Sequence, residues 1–235
     1  MKKIVLLTLI PAIFLLFNQC SQVADASGVC AKKWIKVKPI SASTAVATIT
    51  GSALVLYAPN LKAGVNLTIN QTAVSGDFEA EASFEDFTPG TLADTCSAFL
   101  QFSAIPIAEN EIANTGIANV SSGLASSIFA GNEADAKPFL NKEGNLSGTL
   151  KIKRTGNTLT ITTIVNSKSM LDGSTIQTVS TATKTDFGNS NLNIGFQLGA
   201  LKDVNKVISA KITNFTIVGG GSLAKSDAFD CNSLL

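Results

Sequence analysis

From Asp77 to Phe87 the chain alternates between apolar and acidic side chains, with Phe78, Ala80, Ala82 and Phe84 on one side and Asp77, Glu79, Glu81 and Glu85 on the other. A period of two marks a strand with one face on a core and the other in water, whereas a helix would repeat near 3.6. The same period returns at Leu150-Lys151-Ile152-Lys153-Arg154 and at Thr158-Leu159-Thr160-Ile161-Thr162, on either side of Gly156-Asn157. That dipeptide supplies the positive φ that a tight hairpin turn requires, so Thr149 to Val165 is predicted to be an antiparallel hairpin.

Shorter segments fit the same plan. Trp34 to Val37, Ala45 to Ile49, Ser52 to Ala58, Cys96 to Ala104, Leu124 to Ala130, Ile176 to Thr183, Leu192 to Leu198 and Val207 to Val218 all read as strands. The stretch from Ile105 to Gly123 is interrupted by Asn, Ser and Gly and gives no clear pattern. No helical period is sustained for more than two turns after Cys20. Charged residues make up 15% and apolar ones 45% of the 235 residues, a balance suited to sheets and turns rather than solvated helices. The expectation is an all-β protein with a single antiparallel β-sandwich.

The first twenty residues have a different purpose. Lys2 and Lys3 precede an apolar run from Ile4 to Phe17, which Asn18-Gln19-Cys20 closes. Fourteen residues make about 21 Å of helix, short of the ~20 residues needed to span a bilayer core, so the run reads as a secretion signal. It resembles a bacterial lipoprotein signal, whose box ends in the cysteine that receives lipid. Phe17-Asn18-Gln19-Cys20 would be that box, although Asn18 and Gln19 stand where small residues are usual. The resemblance implies residues 1–19 as signal, an acylated Cys20 (palmitate among its acyl chains), a polar tether over 20–33 and the sandwich over 34–235. It also implies attachment to a membrane of the bacterial envelope, the outer membrane foremost. The alternative is cleavage after Ala26, read from Ala24-Asp25-Ala26, which would discard Cys20. Under either reading Cys30, Cys96 and Cys231 remain. Cys30 and Cys231 are the expected disulfide because chain ends of compact domains lie near one another, with a Cys96 pairing as the alternative.

Three segments together resemble the concanavalin A-like lectin/glucanase superfamily: Gly76 to Phe84, Leu150 to Leu159, and Ile212-Thr213-Asn214-Phe215-Thr216-Ile217. The resemblance implies a jelly-roll of two antiparallel sheets, and architecture of this kind does not fix function.

The chain contains no histidine, which removes His-based acid–base catalysis, the usual nucleophile triads and most transition-metal sites. A glycoside hydrolase needs two carboxylates about 5 to 10 Å apart. Glu79, Glu81 and Glu85 could supply them, but Ser83 and Phe84 occupy the places where the superfamily's hydrolases complete their acidic pattern. A solvated strand face explains the same acids. Sugar binding usually employs exposed Trp or Tyr faces, and here there is one of each, Trp34 and Tyr57. Asp172, Asp186 and Asn189 in turns could assist through Ca2+, which takes carboxylate and carbonyl oxygens, although turns attract such residues anyway. No other cofactor or metal is expected. Arg154, the only arginine, reads as a packing or ion-pairing residue of the hairpin. A net charge of +1 without charge blocks gives no footprint for nucleic acid. The leading expectation is therefore a non-enzymatic, lipid-anchored envelope protein that binds a protein or glycan partner. A lectin-like module is the alternative, and a glycan hydrolase ranks third.

Overall fold

The structure is a computed structural model. It describes residues 35–37, 45–50, 53–62, 64–70, 74–88, 98–106, 113–120, 123–130, 133–138, 146–169, 171–188, 190–200 and 203–220. The signal, the tether, Trp34, Asn189 and all four cysteines, Cys20, Cys30, Cys96 and Cys231, lie outside the described residues. The regular structure among those described is entirely strand: β1 (Ile35–Val37), β2 (Val46–Thr50), β3 (Ala53–Ala58), β4 (Gly64–Asn70), β5 (Phe78–Thr88), β6 (Ala98–Pro106), β7 (Ala113–Val120), β8 (Gly123–Ala130), β9 (Glu133–Pro138), β10 (Leu146–Thr155), β11 (Thr158–Lys168), β12 (Thr175–Lys184), β13 (Leu192–Ala200) and β14 (Ile208–Gly219).

Seven strands form one sheet in the order β12-β11-β10-β5-β14-β3-β2, and five form a second in the order β13-β6-β7-β8-β9. All recorded pairings are antiparallel, β1 pairs with β4, and β4 runs beside β13. The two sheets pack face to face, with β11 and β12 over β7, β8 and β9. This is the expected all-β jelly-roll-like sandwich.

The predicted hairpin is present as β10 and β11, paired without interruption from Ser147↔Asn166 to Thr155↔Thr158. Gly156 adopts φ 58° while Asn157 is not in the left-handed region, so only the first turn residue needs the freedom of glycine. Three strands lie where no strand was expected. Strand β7 has its apolar pattern broken by Gly116, and a Cβ there would come within 2.2 Å of the Leu100 carbonyl oxygen on β6. Strand β9 carries Glu133, Asp135, Lys137 and Pro138, a composition suited to the edge position it holds. Strand β4 buries Leu67 and Ile69.

The core lies between the sheets. From the larger sheet it takes Leu54, Leu56, Phe78, Phe84, Leu150, Ile152, Ile161 and Ile212, and from the smaller Leu100, Phe102, Ile194 and Phe196. Phe215 of β14 reaches across, with its ring centroid 5.9 Å from Phe102 and 5.6 Å from Phe196, both edge-on; Phe102 and Phe196 stack at 4.8 Å. Two bulges keep the large side chains pointing inward. At Asp86 (φ 53°) and Asn214 (φ 49°) one strand advances three residues while its partner advances two, which resets the alternation so that Phe87 and Phe215 are buried. Asp and Asn are among the few non-glycine residues that enter this region readily.

Candidate functional site

The larger sheet turns its apolar core residues and the buried polar side chains Arg154, Thr163, Ser167 and Ser180 inward, and presents its paired exposed side chains on the outer face. That face has two halves of different character. On β5, β10 and β14 the charged outward positions are matched across strands, beside the uncharged row Thr149, Ser83 and Thr213: Lys153 stands 3.3 Å from Glu79, Lys151 2.5 Å from Glu81, and Lys211 3.3 Å from Glu85. The sequence placed these three glutamates on one face, and the structure keeps them there. Their lysine partners come from β10 and β14, where local pattern could not show them. Alternate residues on a strand are about 6.7 Å apart, a separation compatible with a glycosidase pair. The general acid of such an enzyme, however, sits in an apolar setting that keeps it protonated. Each of these carboxylates instead faces an ammonium in half-exposed surroundings.

On β11 and β12 the outward positions form five cross-strand rungs. Lys168 donates to the Thr175 hydroxyl at 2.9 Å, and the Gln177 amide donates to Asn166 Oδ1 at 3.2 Å. Ile164 pairs with Val179, and the hydroxyls of Thr162 and Thr181 and of Thr160 and Thr183 lie 3.2 Å apart. The alternation seen in the sequence, with Leu159, Ile161 and Val165 inward, brings these polar side chains to one surface. The period of two shows both strands but not the rungs, because the register joining residue 162 to residue 181 is set by the hairpin loop.

Arg154 is placed differently from its neighbours Lys151 and Lys153. It points to the core side of β10 and is 1% exposed. Its Nε donates to the Gly76 carbonyl at 2.7 Å and its Nη1 to the Ser190 carbonyl at 2.6 Å, with the guanidinium 5.4 Å above the Phe78 ring. Burial pulls its pKa below the ordinary value, and the charge of Asp77 works in the opposite direction. Asp77 also accepts the Gly156 amide at 2.7 Å, so the hairpin turn and the start of β5 are fastened to each other. Arg154 is thus the packing residue expected of it, bonded to carbonyls of two other segments.

Of the Ca2+ candidates, Asp172 and Asp186 are among the described residues and Asn189 is not. Asp172 is engaged within its own turn, accepting from the Ser174 hydroxyl at 2.7 Å and the Ser174 amide at 3.0 Å. Those bonds, the hydroxyl first, lower its pKa to about 2. Asp186 stands exposed on the β12–β13 connection with φ 59°. Among the described residues no group of three or more His, Cys, Asp or Glu side chains could hold a metal ion. Tyr57 is 40% exposed on β3, opposite Val46 of β2.

The sequence matches no known protein-family model and no curated protein. Solved structures that it resembles include the winged bean acidic lectin complexed with methyl-α-D-galactose, at TM-score 0.43 and 14% identity over 79% of this chain and 99% of that one. The carbohydrate-binding module CBM66 from Bacillus subtilis resembles it at TM-score 0.43 and 13% identity, covering 79% and 95%. The alginate lyase vAL-1 from Chlorella virus does so at TM-score 0.45 and 12% identity, covering 79% and 92%. At these identities the likeness concerns the fold alone.

Proposed function

We propose that this protein is a non-catalytic, glycan-binding β-sandwich module, held at the bacterial cell envelope by a lipid on Cys20. The observation that carries the reading is the outer face of the larger sheet. Its candidate catalytic carboxylates are engaged by Lys151, Lys153 and Lys211, and the rest of its paired side chains are predominantly hydroxyls and amides. Such a surface is equipped to hold a polyhydroxylated ligand rather than to cleave one. The anchor is motivated by Cys20 directly after the apolar run; two or more acyl chains, at ~0.8 kcal/mol per buried methylene, hold a protein stably on a bilayer. The outer membrane is the favoured location.

Thermal unfolding of the full chain against a panel of oligosaccharides, with and without Ca2+, tests the binding. A ligand at about 100 times its dissociation constant adds ~2.7 kcal/mol, and for a domain of this size each kcal/mol raises the midpoint by roughly 2 to 4 °C. A rise of several degrees with one glycan class is expected. A flat response across the panel would overturn the glycan reading in favour of a protein partner. The mass of the mature chain tests the anchor, because an unmodified start at Ser27 would exclude it.

A further inference from the structure

The geometry points to the outer strip of β11 and β12 as the glycan site, and to a neutral rather than an acidic glycan as its ligand; this rests on the binding reading above and gives it a location. Within one continuous sheet, in the same solvent, the outer face is kept wet in two ways. Strands β5, β10 and β14 do so with three matched lysine–glutamate pairs, to which the row Thr149, Ser83 and Thr213 adds hydroxyls. Strands β11 and β12 use no charge on this face apart from Lys168 in the terminal rung. Solubility alone would be served by continuing the ion pairs one strand further, so the change of chemistry calls for another explanation.

The order of the rungs supplies it. The middle rung, Ile164 with Val179, is apolar, and Val179 is 44% exposed. On one side stands the hydroxyl rung Thr162 and Thr181, on the other the amide rung Asn166 and Gln177. Successive rungs lie about 6.7 Å apart along the strands, and the strands about 4.8 Å apart, so the three rungs cover a strip roughly 13 Å long. A sugar ring is amphipathic, with a C–H face and a rim of hydroxyls. An apolar floor flanked by groups that both donate and accept matches that pattern, as ligand sites in general combine apolar lining with a few placed polar groups. Each threonine hydroxyl has one donor and two acceptor lone pairs, so the bond within a rung leaves capacity for a ligand hydroxyl. An acidic glycan would find Lys168 alone among the five rungs, with the lysines of β10 already matched to glutamates.

The test is depletion of the full-length chain, in detergent, onto insoluble neutral polysaccharides (cellulose, a β-1,3-glucan and xylan) and onto alginate gel as the acidic comparison. The variants are T162V/T181V, which removes two hydroxyls while keeping shape and strand preference, V179K, which places a charge on the exposed apolar rung, and E79Q/E81Q on the charged half. The expected result is retention on a neutral polysaccharide that falls at least tenfold in T162V/T181V and in V179K, with E79Q/E81Q unchanged and all unfolding midpoints close to the parent's. Retention that survives both strip changes, or that is confined to alginate, would overturn this location and ligand class while leaving glycan binding standing. A parent chain held by none of the four materials would overturn the binding reading itself, and this inference with it.

Discussion

The two faces of the seven-stranded sheet are made by the same strands, residue for residue, yet answer to different constraints. On β10 the inward positions Leu150, Ile152 and Arg154 are 0 to 1% exposed, while Lys151 and Lys153 between them are partly exposed. The inward set must fit neighbours from both sheets at once, and even its one cation is tied to two carbonyls. The outward set has only to satisfy water and its cross-strand partner. The inner face therefore specifies the fold, and the outer face is free to vary and to acquire a binding role.

Mutations on the two sides should separate accordingly. The largest effect is expected from Phe196→Ala, which empties the centre of the Phe102, Phe196 and Phe215 cluster joining the sheets. Removing a buried Phe costs about 3 to 5 kcal/mol, so the unfolding midpoint should fall by around 10 °C. Arg154→Met comes next. It leaves the carbonyls of Gly76 and Ser190 without their donor, and a loss of about 2 kcal/mol in denaturant unfolding is expected. A neutral result would show that desolvating the guanidinium costs as much as its bonds return. On the outer face, Lys151→Ala should cost less than about 1 kcal/mol and lose most of its effect in 1 M salt, as half-exposed ion pairs do. A loss comparable with that of Phe196→Ala would erase the distinction between the faces.

The smallest expected effect lies off the sheet. Asp172 has its folded pKa lowered to about 2, against about 3.9 in an unfolded chain. The ionised carboxylate therefore favours the folded state above pH 4, and that contribution fades as the pH falls towards 2. The difference in midpoint between the parent and Asp172→Asn should be small at neutral pH and vanish over that interval. A difference that persisted at pH 2 would mean that the turn does not depend on the charge.

What the sequence made legible follows the same division. Strand β5 and the β10–β11 hairpin were readable because one of their faces is core and the other wet, so period two survives in the residue types. Strand β7 was not, because close approach to β6 requires glycine at position 116. The edge strand β9 was missed because acids, lysine and proline protect it. At Asp86 and Asn214 the alternation is broken by bulges that local composition does not announce. For the candidate site, the sequence showed that Glu79, Glu81 and Glu85 share a face. That each meets a lysine, and that Thr162 meets Thr181, depends on register between strands.

The position of β14 has a consequence for how the chain reaches this state. The last described strand lies inside the larger sheet, between β5 and β3, and no other described strand joins those two. The β2–β3 hairpin and the block formed by β5, β10, β11 and β12 can each pair early, but they remain separate until Ile208–Gly219 is threaded between them. Its partners on β5 begin more than a hundred residues upstream, so the closing step is a long-range one of the kind that slows β-proteins. Until it happens β3 and β5 each present an open edge, which makes a growing or unfolded chain most prone to aggregation just before β14 arrives.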